Sequence, residues 1–539
     1  MVQTVSIAVQ LDACTIVGIS KPASETQPRP LDVFYGIPFA RAQRFERPMP
    51  ATLPSRLDAT KPGDACPGLA SFSENEDCLR LNITRPARTA ADVAGWPVLV
   101  FIHGGAFNFG SALERNMEST VSWSEQPIVA VSVTYRLGVL GFPAAPGEEG
   151  RKAYNLGLRD QAAALQWVVE RIGAFGGDGA SITVVGASAG GHSAGHLLLS
   201  PSPPPFHKAI LESGSPTARL VLSPTHPQTA AQFAFLLQDT RCSSLADLKV
   251  LPLRTLLDGA TQVWSRGDRA VQWPFQPVVD GDGDGGVIPD LPVRLWEQRV
   301  ADGRAGNMCV MTGFCSHEGI SFVPISANTN ADFRKFFTTL IPSLSAADLT
   351  AMETLYPDPV TDPSSPYVHG SRKQGRQFRR LAAAYGEFAY IAPVLHTAHV
   401  LSAAGARVYV YEYAEPSGPH RTAEHGAQSL AMERHASSSN ACPGLAETVA
   451  TLHGFVTAFV SSPEGDLGDS WPAFVGSGSP GAVGEGNILV FGAPDRSGSR
   501  LVPVQPRVLE AAEMERMRFW WERMELAQGM GQMATRQTT

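Results

Sequence analysis

Ser188 is the residue best placed to do chemistry. It stands in the run Gly186-Ala187-Ser188-Ala189-Gly190-Gly191, after the apolar stretch Ile182–Val185 and before the helix-compatible stretch Ser193–Leu199. A strand, a turn too tight for bulky residues and a helix make a nucleophile elbow, which holds the serine oxygen exposed at the end of a sheet. Such strained backbone demands small neighbours, and Gly and Ala surround Ser188 on both sides.

A serine hydroxyl is a weak nucleophile at neutral pH. It needs a base to take its proton, an acid to orient the base, and donors for the developing oxyanion. Behind an elbow of this kind the chain order is serine, acid, histidine, and open α/β sheets place their sites at the C-terminal ends of strands. His103-Gly104-Gly105-Ala106-Phe107 follows the predicted strand Val98–Ile102. Its small residues let backbone N–H groups converge, so Gly105 and Ala106, with Ala189, are the expected oxyanion donors. Glu318 lies just past a strand ending near Thr312 and is the expected acid. The histidines after it are His369, His396, His399, His420, His425, His435 and His453. The loop after the strand Val408–Tyr413 should carry the base, which leaves His420, His425 and His435; His425, followed by Gly426, is preferred. His192 and His196 ride on the helix after the elbow and are expected to pack or hydrogen-bond there.

The elements that must position these groups are legible as continuous apolar runs, the pattern of strands buried on both faces of a parallel sheet. They are Val98–Ile102, Ile128–Thr134, Ile182–Val185, Ala209–Leu211, Cys309–Thr312, Val408–Tyr413 and Ile488–Phe491. Leu158, Ala162, Leu165, Val169 and Ile172 make one helical stripe between them. Strand alternating with helix predicts an α/β fold with a mostly parallel, doubly wound sheet. One catalytic domain spanning 1–539 is expected, with a helical cap over Pro324–Ala404 and a C-terminal helix over Arg507–Leu526, begun after Pro506. The tail after Gly529 is expected to fray.

The chain has 539 residues, a formal charge of −8, 43% hydrophobic and 17% charged residues. A mildly acidic chain without a basic block argues against a nucleic-acid partner. No apolar stretch is long enough to span a bilayer. The first ten residues have no basic region and read as a strand, which predicts no signal peptide and a cytoplasmic location. Asp280-Gly281-Asp282-Gly283-Asp284-Gly285 imitates a calcium loop, but its twelfth position is Leu291 where Glu is required. It is read as a turn. No metal or cofactor is expected. Asn82-Ile83-Thr84 is a glycosylation sequon inside a predicted strand, where no sugar is expected.

Taken together these residues resemble the type-B carboxylesterase/lipase family, which includes the cholinesterases. The likeness runs through Tyr35-Gly36-Ile37-Pro38-Phe39-Ala40, Glu76-Asp77-Cys78-Leu79, His103-Gly104-Gly105, Tyr135-Arg136-Leu137-Gly138, Asn155–Gln161, the elbow, Glu212-Ser213-Gly214-Ser215, Val278-Val279-Asp280-Gly281 and Trp471-Pro472-Ala473-Phe474. It implies an α/β-hydrolase fold and a Ser188–Glu318–His425 triad, the base in a His-Gly pair. It also implies a Cys66–Cys78 disulfide and Ser215 as a group close behind the acid. Seven cysteines leave at least one without an intramolecular partner. The family usually has Glu before the nucleophile, where this chain has Ala187, and the stretch between Cys66 and Cys78 holds no Trp. Cholinesterases use those two groups on a cation, so this chain is not expected to take choline esters.

The expected function is hydrolysis of a small, neutral, apolar carboxylic ester through an acyl-enzyme. Phe107, Phe109 and Leu220 are expected to wall the acyl side. Acyl transfer or lactone formation would use the same triad, and a binding protein of the same fold would have lost part of it.

Overall fold

In the computed structural model the described residues are 5–69, 75–87, 95–202, 206–218, 221–266, 273–281, 283, 285–368, 373–416, 420–435, 442–476 and 486–528. Leu220, Asp282, Asp284, His369 and the tail from 529 lie outside them.

Each apolar run named above forms a strand. Trp96–Ile102 shows why. Val98, Val100 and Ile102 pack into the core on one face of the sheet, and Leu99 and Phe101 into the core on the other. A strand with two apolar faces needs a helix layer on each side. Helices Leu156–Arg171 and Ala189–Leu199 cover one face, and Met117–Trp123 and Leu445–Ser461 the other.

Among the described residues the sheet has thirteen strands. Its centre is parallel, in the order Val129–Val133, Trp96–Ile102, Gly177–Ala187, Lys208–Glu212, Cys309–Cys315, Arg407–Tyr413 and Ile488–Pro494. Antiparallel strands close both sides, among them Val5–Leu11, Cys14–Lys21, Leu31–Pro38 and Arg80–Pro86 on one side and Leu501–Arg507 on the other. The chain reverses its direction of strand addition at Trp96–Ile102, whose neighbours are the next two strands in sequence. That switch point is where an open α/β sheet opens a crevice for a ligand.

Helices Asn330–Leu340, Ala346–Leu355, Phe378–Gly386 and Ala392–Ala403 fill the interval between the strands Cys309–Cys315 and Arg407–Tyr413. The C-terminal expectation needs correction. Pro506 lies in the outermost strand, Leu501–Arg507, where a missing N–H costs no ladder bond. The helix starts only at Ala511, capped by a reciprocal Glu510–Glu513 box, and ends at Trp521. In the calcium look-alike, Asp280 accepts from the Val287 and Ile288 N–H groups and pairs with Arg159. Asn82 is engaged in its strand by Gly36 N–H and the Ser132 hydroxyl.

Buried imidazoles are expected to make the fold acid-sensitive, His103, His196 and His453 among them. Burial lowers His103 and His453 from 6.5 to about 4 and His196 to about 3. They are neutral in the folded chain, so the unfolded chain binds the extra protons below pH 6.5. The stability they contribute is complete above about pH 6.5 and falls as pH drops toward 4, by about 3 kcal/mol for one such group. Urea unfolding at pH 7.5, 6 and 5 should show a falling midpoint; an unchanged midpoint would refute this.

Candidate active site

The elbow is built as its sequence demands. Ser188 ends the strand Gly177–Ala187 and precedes the helix Ala189–Leu199, with φ 54° and ψ −120°. Its N–H donates to Glu212 O at 2.8 Å, on the neighbouring strand. A Cβ on Gly186 would lie 2.1 Å from Gly190 O, and one on Gly190 would lie 2.0 Å from Ile102 O. No side chain fits at either position, so the small residues are steric requirements.

The loop after Trp96–Ile102 turns through positive φ at Gly105 (96°), Ala106 (54°) and Phe107 (63°). Two carbonyls are pinned. Gly104 O is met by His103 Nδ1 at 3.0 Å, and Gly105 O accepts from the Asn108 and Phe109 N–H groups, each at 2.9 Å. A carbonyl can only accept, so neutral His103 carries its proton on Nδ1. A trans peptide points its N–H opposite its carbonyl, so the pinned carbonyls fix the directions of the Gly105 and Ala106 N–H groups. His103 is itself stacked on Tyr135 at 4.4 Å, and the Tyr135 hydroxyl donates to His103 O. A Cβ on Gly105 would lie 2.4 Å from Phe109 O. Gly105→Ala is therefore expected to displace the loop and lower kcat on an ester substrate roughly 10²- to 10³-fold, the usual effect of losing an oxyanion donor. Steady-state rates on the folded variant check this, and an unchanged kcat would remove Gly105 from the site.

Glu318 and His425 come together across two loops. His425 Nδ1 lies 2.5 Å from Glu318 Oε2. Glu318 is 1% exposed, and its other oxygen accepts from Cys315 N–H at 2.7 Å and from the Ser213 hydroxyl at 2.6 Å. The loops are laced by His317 N–H donating to Ala423 O at 2.9 Å. The hydroxyl behind the acid is thus Ser213, two residues before the expected Ser215. Ser215 instead exchanges hydrogen bonds with Thr217 and Thr397. The register of Glu212-Ser213-Gly214-Ser215 explains the difference: Ser213 has φ 48°, a turn that aims it at the acid strand. Gln428 completes the set, donating to Ser213 Oγ at 2.8 Å and accepting from the Cys315 thiol. Its position three residues after His425 is the signal that could have found it.

Ser188 and His425 line one cavity of about 390 Å³ with Gly104, Gly105 and Ala106. Phe109, Trp273 and Phe322 make its apolar walls, and Phe322 and Tyr390 pack on the His425 ring at 5.2 and 4.3 Å. Trp273, Phe322 and Tyr390 were not found from sequence, because they arrive on segments without a motif. Phe107 is corrected: it is buried in the core against Phe142. Arg115 also lines the cavity and forms a buried two-pronged pair with Glu212, whose backbone anchors Ser188. Of the described histidines, His420 pairs with Glu424, His453 with Thr120 O, and His192 with the Ser215 backbone.

The switch-point crevice, the elbow and the loops along this edge of the sheet define an α/β-hydrolase. The carboxylesterase family profile matches residues 5–451. The chain belongs to that family. It is 33% identical over 344 residues to secreted lipase 4 of Gibberella zeae, covering 62% of this chain and 60% of the relative. It is 35% identical over 303 residues to para-nitrobenzyl esterase of Bacillus subtilis, covering 53% and 59%. The chain thus spans about 60% of the length of these curated relatives. The crystal structure of Aspergillus niger EstA has the same fold, with a TM-score of 0.76 at 23% identity over 97% of this chain and 99% of that one.

The cytoplasmic expectation is overturned by the relative named as a secreted lipase, which points to the extracellular side. The Cys66–Cys78 disulfide, closed over a separation of 12 residues, fits an oxidising compartment. Among the described residues no helix is long and apolar enough to cross a membrane.

Proposed function

We propose that this chain hydrolyses neutral, apolar carboxylic esters through an acyl-enzyme on Ser188. The observation that carries the reading is the 2.5 Å contact of His425 Nδ1 with buried Glu318, in a site where His425 and Ser188 face one cavity. The carboxylate keeps the His425 proton on Nδ1, so Nε2 is free to take the Ser188 proton. Ser188 Oγ attacks the ester carbonyl, and the N–H groups of Gly105, Ala106 and Ala189 hold the oxyanion. Glu318 stabilises the imidazolium, which then protonates the departing alcohol. Water repeats the cycle and releases the acid.

Phe109, Trp273 and Phe322 support an apolar substrate. Against choline esters, the position before the nucleophile is Ala187, and Glu114, the one carboxylate among the described residues lining the cavity, is exposed. The test is p-nitrophenyl ester hydrolysis from acetate to octanoate, beside acetylthiocholine, with and without added butanol. We expect turnover of the neutral esters, a chain-length optimum set by the cavity, and acetylthiocholine at least 100-fold slower. A folded protein inactive on every ester would overturn the reading. Butyl ester as the main product would replace hydrolysis by acyl transfer.

A further inference from the structure

A second cavity, of about 480 Å³, shares Glu318 with the site but not Ser188, His425 or the oxyanion loop. Three segments meet in it: the acid loop at His317, the helix Phe378–Gly386 at Arg379, and the base loop at His420 and Arg421. Its two carboxylates are already committed. Glu318 is bound by His425 and Ser213, and Glu387 by Arg516 and Tyr356. Its two guanidiniums are not. Among the described residues neither Arg379 nor Arg421 forms an ion pair, and the buried Nε of Arg379 has no acceptor. Arg379 is felt across the cavity: after burial, its charge is the next cause holding His317 below the ordinary imidazole value. The backbone of Arg421 is held at φ 54°, in the left-handed region.

A buried donor without an acceptor is costly, and a guanidinium's preferred partner is a carboxylate or another planar oxyanion. Ser316, His317, His420 and Thr422 add polar groups to the wall, beside an apolar strip of Ile320, Tyr367 and Ile391. We propose that this cavity binds an aliphatic monocarboxylate, its head between Arg379 and Arg421 and its tail against Ile320, Tyr367 and Ile391. The ligand class rests on the ester-hydrolase reading, since each turnover would release a carboxylate. The site lies at the seam where His317 N–H meets Ala423 O. An acid bound there touches both loops that hold the Glu318–His425 pair without entering the Ser188 cavity.

Isothermal titration of the full chain with hexanoate, 1-hexanol and inorganic phosphate tests this, in wild type, Arg379→Gln and Arg421→Gln. We expect hexanoate to bind wild type at a site that Arg379→Gln weakens at least tenfold and Arg421→Gln severalfold, with hexanol failing to fill it. Should Arg379→Gln not fold, exposed Arg421→Gln carries the comparison. Equal hexanoate binding in wild type and both variants would overturn the proposal, as would hexanol matching hexanoate. Phosphate matching hexanoate would overturn the apolar-tail assignment. The same preparations are assayed for p-nitrophenol release. Hexanoate binding that depends on Arg379 in a protein that hydrolyses no ester would sink the hydrolase reading and keep the site. Ester turnover without such binding would do the reverse.

Discussion

Ser188→Ala is expected to lower kcat on a p-nitrophenyl ester by roughly 10⁴- to 10⁶-fold while leaving the fold intact. The size of the effect follows from the arrangement. His425 and Glu318 do nothing for an ester unless there is a proton to move from the attacking atom, so removing Oγ removes the work of all three groups. What survives is the oxyanion loop and the apolar cavity, which together still give a residual rate over water. The fold should tolerate the change because the Ser188 side chain caps no helix and Ala fits the same tight turn. Thermal unfolding should therefore be nearly unchanged. A variant that keeps more than about a tenth of the wild-type rate would remove Ser188 from the chemistry.

Glu318→Gln should cost nearly as much, about 10⁴-fold in kcat with KM little changed. One oxygen of Glu318 accepts from Cys315 N–H and Ser213, and a glutamine oxygen can do the same. The amide NH₂ must then face His425 Nδ1, where the carboxylate oxygen stood. A donor facing Nδ1 turns the imidazole to the tautomer with its proton on Nε2, which cannot accept from Ser188. The variant has the same shape and one fewer buried charge, so a large stability loss is not expected. Measuring kcat and KM separately distinguishes this from a packing defect. A fall of less than tenfold would mean that another group orients the base.

Much of this was legible in the sequence, for physical reasons. Strands buried on both faces must be continuously apolar, which is why runs such as Val98–Ile102 and Val408–Tyr413 predict the central sheet. The elbow was legible because Gly186 and Gly190 sit where no Cβ fits. Strand order and the His425-Gly426 pair pointed to Glu318 and His425, which the fold brings into contact. What escaped depends on where side chains point within a turn. Ser213 and Ser215 are two residues apart on one segment, and only the backbone at Ser213 decides which reaches Glu318. Phe107 and Phe109 straddle the oxyanion loop, and its positive φ angles send one to the core and the other to the cavity. Trp273 and Phe322 come from loops whose path no periodicity describes. Pro506 misled because proline is tolerated on an outer strand as well as ahead of a helix.

The strand order has a consequence for how the molecule fails. Ser188 hangs from the middle of the parallel sheet, but His425 hangs from Arg407–Tyr413, beyond which the described residues add two further strands before the sheet's edge. Fraying that begins at the Leu501–Arg507 side reaches the loop of the base while the elbow and oxyanion loop are still held by strands on both sides. On the proposed mechanism, catalytic competence would then be the first casualty of mild stress, lost while most of the backbone is still protected from hydrogen exchange. An inactive sample would then be expected to remain almost entirely folded, with activity reporting the integrity of one border of the sheet and not of the whole.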